Sequence, residues 1–276
     1  MRCTKPGLRV VLKWMSAGSG CSGSVIADVY VAFYKLSCFL MLVSHRKQFI
    51  YVKTMKTAST SVESFFEPFC LPPGRWQIDV FNSGSETSDG IVGYRGTKRR
   101  RFFGLIRRRW YDHMPAKLIK RQLPAEIWNS YFKFCVVRNP FDKAISAFHF
   151  HAWMEQRGFS KMVVPQTECE VERFRNWIRE VNSRHRSLLV DRDCYCINDE
   201  LCTDHVIRFE DLTTGIHDVC RRLDIERSID ELPAFVSGVR PKRSLHEYYD
   251  ENTKESVHEM FDFEIRKFGY EFPRDV

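Results

Sequence analysis

Two short apolar runs, each followed by a polar loop and a helical pattern, constrain the fold more than any other feature. Residues 48–52 (QFIYV) and 131–137 (YFKFCVV) are short and rich in β-branched and aromatic residues, which predicts buried strands. Apolar side chains then recur at helical spacing, as Val62, Phe65, Phe66 and Phe69 after the first run and as Phe141, Ile145 and Phe148 after the second. We therefore predict an α/β fold, with a P-loop-like parallel sheet flanked by helices on both faces.

The rest of the chain continues this alternation of strands and helices. Residues 74–100 are rich in Gly, Ser and Asp and are predicted to form a loop. A further strand is predicted at residues 205–209, and helices are predicted at residues 114–123, 125–130, 168–181, 211–223 and 252–267. In parallel sheets, ligands bind where strands end and helices begin. The polar segments that follow the first two strands are therefore the candidate sites.

The first 40 residues do not fit this alternation and are predicted to be an extension to one domain at residues 41–276. Residues 25–43 are apolar but contain Asp28 and Lys35, which makes this stretch a marginal membrane anchor. No signal-peptide pattern is present at the start of the chain. We expect a soluble, cytoplasmic protein with at most weak membrane association; the alternative is a Golgi-lumenal protein anchored by residues 25–43.

The composition favours anionic partners, since the formal net charge is +8 and the pI is about 9.0. The ten cysteines include no C-x-x-C pair, which argues against a zinc site. The basic run at residues 95–109 is interpreted as a solvated loop, with a surface for an acidic acceptor or membrane and a nucleic-acid patch as alternatives. No aromatic stacking platform accompanies this run, so nucleic acid is not expected as a partner.

Residues 53–61 (KTMKTASTS), called the first loop, have the features of an anion site. The first turn of the following helix offers unpaired N–H groups and a positive dipole end. Ala58 and Ser59 are small enough for close backbone approach, Lys56 can reach an oxygen, and hydroxyls are available from Thr57, Ser59, Thr60 and Ser61. Thr60 and Glu63 fit a capping box. A capped helix after a solvated loop is the alternative interpretation.

Residues 138–146 (RNPFDKAIS), called the second loop, follow the second strand in the same way. Arg138 offers a planar fork for an oxyanion, and Ser146 offers a hydroxyl directed back toward the start of its helix. A surface ion pair and a polar helix face are the alternatives. Two anion sites at the ends of two strands of one sheet indicate a ligand with two separated anionic groups.

In this order, the two loops resemble a known enzyme family. KTASTS followed by CVVRNPFDKAIS is similar to the sulfotransferase superfamily that uses 3′-phosphoadenosine 5′-phosphosulfate (PAPS), and within it to the carbohydrate branch that includes uronic-acid 2-O-sulfotransferases. DHMPAKLIK, HVIRFEDL and SLHEYYDENTK with FGYEF agree with the wider family. The resemblance covers roughly residues 44–272.

The resemblance implies a role for each loop. The 5′-phosphosulfate would be held by Lys53, Lys56, Thr57, Ala58, Ser59, Thr60 and Ser61. The 3′-phosphate would be held by Arg138 and Ser146, and Lys242 and Arg243 lie where related enzymes bring a further basic group toward the cofactor. Met55 departs from the branch, which usually has proline there. Proline would stiffen the backbone at this position, so the departure concerns the rigidity of the loop and not its anion contacts.

The chemistry of sulfuryl transfer assigns further candidates. A sulfuryl group carries less charge than a terminal phosphoryl group, so we expect transfer without a metal ion. Lys56 is predicted to stabilise charge on the departing phosphate oxygen. His113 is the candidate base for the acceptor hydroxyl, with helix capping or packing as the alternative. His149 and His151 are interpreted as structural, and His45 as a strand-edge residue.

We therefore predict a PAPS-dependent sulfotransferase that acts on a hydroxyl-bearing acceptor, with a glycan favoured by the resemblance. A P-loop nucleotide kinase is one alternative, although the GK[ST] signature and a metal-binding carboxylate after an apolar strand are missing from the sequence. A non-catalytic polyanion binder on the same fold is another.

Overall fold

The computed structural model describes residues 41–76, 84–93, 110, 113–158, 161–233, 240–241 and 243–274. The predicted extension at residues 1–40, the basic run at 95–109 and Lys242 lie outside the described residues. The anchor alternative at residues 25–43 lies outside them as well, except for its end, where Leu42 and Val43 belong to the first strand.

The strands of the described residues are β1 Leu42–Ser44, β2 Phe49–Val52, β3 Ser85–Thr87, β4 Gly90–Val92, β5 Phe132–Val137, β6 Cys196–Ile197, β7 Glu200–Leu201 and β8 His205–Arg208. Six of them form a sheet with the order β3-β4-β1-β2-β5-β8. Strands β2, β5 and β8 are parallel, and β1, β4 and β3 extend the sheet from β2 by antiparallel pairing. A separate hairpin consists of β6 and β7.

The helices lie close to the predicted positions. They are α1 Ser59–Phe66, α2 Ala116–Gln122, α3 Ala125–Ser130, α4 Pro140–Gln156, α5 Glu170–Arg184, α6 Leu212–Arg222, α7 Leu245–Tyr248, α8 Glu251–Met260 and α9 Asp262–Phe268. The helix predicted at 252–267 is in fact two helices, because the chain leaves the helical conformation at Phe261.

The sheet is covered by helices on both faces, and the strand sequences explain why. Along β2, Phe49 and Tyr51 belong to one apolar core, while Ile50 and Val52 belong to the other. Helices α1 and α6 contribute to the first core, and α4 and α5 contribute to the second. Since β2 is buried on both faces, its sequence is a continuous apolar run. The predicted α/β fold is therefore confirmed.

The antiparallel half of the sheet was not predicted. Residues 85–87 and 90–92 fall within the segment that was assigned to a loop, but they form the hairpin of β3 and β4. Gly90 allows β4 to lie close against β1, because a Cβ atom there would lie 2.2 Å from the Val43 carbonyl oxygen. The Gly-, Ser- and Asp-rich composition hid two short strands, of which β4 is stabilised by pairing with β1 and β3 by pairing with β4. Among the described residues, no helix is long and apolar enough to cross a membrane.

Candidate functional site

The first loop leaves β2 in a strained conformation. Lys56 and Ala58 have φ angles of 60° and 54°, in the left-handed region that costs a non-glycine residue about 1–2 kcal/mol. The hydroxyl of Thr54 donates a hydrogen bond to the Val136 carbonyl of β5, and the hydroxyl of Thr57 donates to the Thr54 carbonyl. The first bond ties the loop to the neighbouring parallel strand, and the second closes a turn within the loop.

Helix α1 begins at Ser59 without a side-chain cap. Ala58 is the N-cap residue, so the capping box predicted for Thr60 and Glu63 is wrong. Glu63 instead lies fully buried against Lys53, with 2.5 Å between Lys53 Nζ and Glu63 Oε2. The Ser61 N–H donates to the Ala58 carbonyl at 2.9 Å, whereas the earlier N–H groups of the turn, at Ser59 and Thr60, are not capped by the N-cap side chain and can contact an anion.

Lys53 lies farther from solvent than the sequence suggested. Its side chain is 1% exposed and pairs with Glu63 beneath α1. This placement favours support of the helix, and a direct contact between Lys53 and a ligand stays a prediction.

The small and hydroxyl residues of the loop differ in exposure. Thr57 is fully buried and bonded to Thr54, whereas Ala58 and Thr60 are half-buried. Ser59 and Ser61 are largely buried in the first turn of α1. Their contacts with a ligand stay predictions.

Arg138 joins the second loop to the first. Its Nη1 donates a hydrogen bond of 2.9 Å to the Lys56 carbonyl, although the two residues are 82 positions apart. Its Nε and Nη2 contact Asp142 at 2.7 and 2.6 Å, and its guanidinium lies 4.0 Å from the centre of the Phe209 ring. Since β2 and β5 are adjacent and parallel, the two loops meet at one edge of the sheet.

Lys56 is half-buried, and its amine lies beside an aromatic ring and near the charge of Arg138. Its Nζ lies 4.2 Å from the centre of the Phe150 ring. Burial, and then the nearby charge of Arg138, lower the pKa of Lys56 to about 7. The amine is therefore able to gain or lose a proton near neutral pH.

One face of α4 lines the region between the loops. Asp142, Ser146 and Phe150 follow one another at intervals of four residues, so they share a face of the helix. Asp142 contacts Arg138 and Phe150 contacts Lys56, which places half-buried Ser146 between them along the helix.

Arg240 is a basic residue of the site that the sequence did not single out. Its Nη1 contacts Asp142 Oδ1, so two arginines share this carboxylate. Arg243, which the resemblance suggested, instead forms an ion pair with Glu247 at 3.6 Å. The sequence shows that the segment around residues 240–243 is basic, but it does not show that Arg240 is the residue that contacts the second loop.

His113 lies beside the start of the first loop. Its Nδ1 is 3.3 Å from the Lys53 carbonyl oxygen, so Nδ1 carries the hydrogen and Nε2 is the proton-accepting nitrogen. Burial first, and the charge of Lys53 next, lower the pKa of His113 to about 3. The imidazole is therefore neutral at physiological pH.

Two of the histidines considered from the sequence, His45 and His149, have partners outside the two loops. His45 Nδ1 lies 3.0 Å from the Tyr131 hydroxyl, and His149 Nε2 lies 2.9 Å from the Tyr248 hydroxyl. Burial lowers the pKa of His151.

Sequence reasoning missed Asp191, which is 2% exposed. Its carboxylate accepts a hydrogen bond from the Met55 N–H and forms an ion pair with Lys143. Met55 and Asp191 are 136 residues apart, and no motif of the sequence links them.

The comparison with protein families identifies the family of this chain. Residues 40–271 match the family described as the sulfotransferase family. The chain belongs to this family. Neither the comparison with curated proteins nor that with solved structures found a match.

The match includes every described element from β1 to α9 and both loops of the sulfotransferase. Membership of the family makes the protein an enzyme of sulfuryl transfer with a hydroxyl-bearing acceptor. Within the part of the sulfotransferase that the structure describes, no group of three or more His, Cys, Asp or Glu side chains is placed to hold a metal ion.

Proposed function

We propose that this sulfotransferase takes the sulfuryl group from PAPS and transfers it to a hydroxyl of a carbohydrate, without a metal ion. The hydrogen bond between Arg138 Nη1 and the Lys56 carbonyl carries this proposal. It joins the two loops at one edge of the sheet, where a donor with two anionic groups could contact both.

The charges of the site fit such a donor. Lys56 and Arg138 lie close enough for the guanidinium to lower the pKa of the amine. An anion bound beside them would relieve this repulsion and favour the protonated amine. Arg240 adds a second guanidinium at Asp142, so positive charge exceeds negative charge in this cluster.

Each loop would hold one end of the donor. The uncapped first turn of α1 and Lys56 would hold the 5′-phosphosulfate. Arg138, Ser146 and Arg240 would hold the 3′-phosphate, and Lys53 would support α1 through Glu63. When bound, PAPS supplies the sulfuryl group on a phosphosulfate anhydride.

Two side chains of this chain would then serve the transfer itself. Protonated Lys56 would stabilise the negative charge on the departing phosphate oxygen. His113 would accept the proton of the acceptor hydroxyl at Nε2, because Nδ1 is held by the Lys53 carbonyl. An anionic donor nearby would raise the pKa of His113 from its low value and so strengthen this base.

The direct test is transfer of radiolabelled sulfate from PAPS in the presence of a metal chelator. The acceptors would be uronic-acid glycans, neutral glycans and simple alcohols. We expect Lys56→Ala to lower kcat about 10²- to 10³-fold, as the loss of a group that stabilises transition-state charge does. Lys267→Ala, an exposed lysine of α9, is the matched control and should retain wild-type activity.

Three outcomes would contradict parts of the proposal. Unchanged transfer by Lys56→Ala would remove this residue from catalysis. Failure of the wild-type protein to bind adenosine 3′,5′-bisphosphate would exclude the donor. Phosphate transfer from ATP that depends on Mg²⁺ would favour the kinase alternative.

A further inference from the structure

Asp191 lies behind the first loop and has a carboxylate oxygen for each of two partners. Its Oδ2 accepts a hydrogen bond of 2.5 Å from the Met55 N–H, and its Oδ1 lies 2.5 Å from Lys143 Nζ. Asp191 is 2% exposed and Lys143 is 5% exposed. The carboxylate is thereby fixed between the first loop and helix α4.

We propose that Asp191 is a positioning residue for the donor: it fixes the first loop through the Met55 N–H, while Lys143 cancels its charge. This inference rests on the proposed function, because it assigns the fixed loop to the binding of the phosphosulfate.

The conformation of the loop explains why such a restraint is needed. Lys56 and Ala58, which follow Met55, are both in the left-handed region. Non-glycine residues remain in this region only where surrounding contacts hold them. Thr54 is held by the Val136 carbonyl and Lys56 by Arg138, so the bond from Met55 to Asp191 restrains the residue between them.

Electrostatics explain the role of Lys143. A lone carboxylate directly behind an anion-binding loop would repel the donor, and a buried charge requires a partner. Lys143 provides the opposite charge from helix α4, the helix that also carries Asp142 and Ser146. The pair thus holds the loop without adding net negative charge to the site.

The segment that begins at Asp191 also contacts the candidate base. The Cys194 thiol lies 3.5 Å from the His113 carbonyl oxygen and donates to it. Residues 192–194 form one short 3₁₀ turn directly after Asp191. The same segment therefore sets the position of the first loop and of the backbone at His113.

A double-mutant cycle tests the bond to Met55. Proline has no N–H, so Met55→Pro removes the donor that Asp191 satisfies. We expect Asp191→Ala to weaken binding of adenosine 3′,5′-bisphosphate about tenfold in the Met55 background, since it leaves an unsatisfied N–H, and clearly less in the Met55→Pro background. Isothermal calorimetry measures this affinity. In steady-state kinetics, Asp191→Ala should raise the KM for PAPS and leave the KM for the acceptor near its wild-type value.

Equal losses in both backgrounds would overturn the inference. If Asp191→Ala does not fold, the charge part of the proposal gives a second test. Lys143→Met leaves the Asp191 charge uncompensated and should weaken binding, and adding Asp191→Asn should recover part of that loss. No recovery would overturn the proposal.

Hydrogen exchange separates this inference from the proposed function. The Met55 amide should be protected in the wild-type protein and should exchange faster in both Asp191→Ala and Asp191→Asn/Lys143→Met. Of these two variants, Asp191→Ala should show the faster exchange. If adenosine 3′,5′-bisphosphate does not bind the wild-type protein, the proposed donor is wrong. If it binds but exchange at Met55 is the same in all variants, only the role of Asp191 is wrong.

Discussion

The low pKa of Lys56 makes the charge of the first loop depend on pH near neutrality. Burial and Arg138 lower this pKa to about 7, so the free protein holds a neutral amine at pH 8. The unfolded chain keeps its proton up to about pH 10.4. Since the unfolded state binds more protons between these two values, this group makes folding stability rise with pH from about 7 toward 10.

Donor binding should therefore take up a proton at Lys56. At pH 8, calorimetry of adenosine 3′,5′-bisphosphate in buffers of different ionisation enthalpy should show uptake of up to about one proton. Affinity should fall by up to about tenfold per pH unit above 7. The phosphates contribute little at this pH, because their second pKa is near 6.

Lys56→Met provides the control for this measurement, since its side chain cannot be protonated. Proton uptake should disappear in this variant. The same uptake in the variant and in the wild-type protein would assign the proton to another group.

At the scale of one element, α1 combines two tasks. Its N-terminus has no side-chain cap, which favours an anion there, and its buried face carries Glu63 in an ion pair with Lys53. Buried ion pairs are strongly destabilised when one partner is removed, because the other charge is left alone. The position of α1 therefore depends on both charges.

We expect Glu63→Ala to lower the free energy of unfolding by about 3–5 kcal/mol. Lys53→Met combined with Glu63→Leu should recover most of that loss, since apolar residues of similar volume often replace a buried pair without cost. Urea denaturation measures both changes.

The donor affinity of that double variant decides the role of Lys53. A supporting role predicts near-wild-type binding of adenosine 3′,5′-bisphosphate once stability is restored. A large loss of affinity in a stable double variant would show that Lys53 contacts the donor.

At the scale of the whole molecule, β1 connects the two halves of the sheet. It pairs with β2 on one side and with β4 on the other, and its residues Leu42 and Val43 are fully buried. Without β1, the hairpin of β3 and β4 would lose its partner and β2 would become an edge strand.

A chain that begins at Met41 should therefore fold, and one that begins at Lys47 should not. The first keeps β1 and every described element, whereas the second removes β1. Circular dichroism and thermal unfolding would measure the difference. A chain from Met41 that lacks a cooperative transition would contradict the boundary predicted at residues 41–276.

The sequence by itself determined the alternation of strands and helices, since that depends on the local periodicity of apolar residues, as in FIYV and the Val62–Phe65–Phe66 stripe. It also determined the polar loops at the ends of β2 and β5. The alternation of strands and helices predicts a parallel sheet, and adjacent parallel strands end at the same edge of a sheet. The sequence therefore also predicted that the two loops meet there.

Only the tertiary structure decided what each charged side chain of the site contacts. Glu63 matched a local capping pattern, yet burial against Lys53 determined its position. Asp191 reaches Met55 and Lys143, and Arg240 reaches Asp142, from distant parts of the chain. Contacts of that kind depend on strand register and helix packing. Local periodicity carries no information about such contacts, because a charged residue on a helix or turn can have many partners until the core fixes its neighbours.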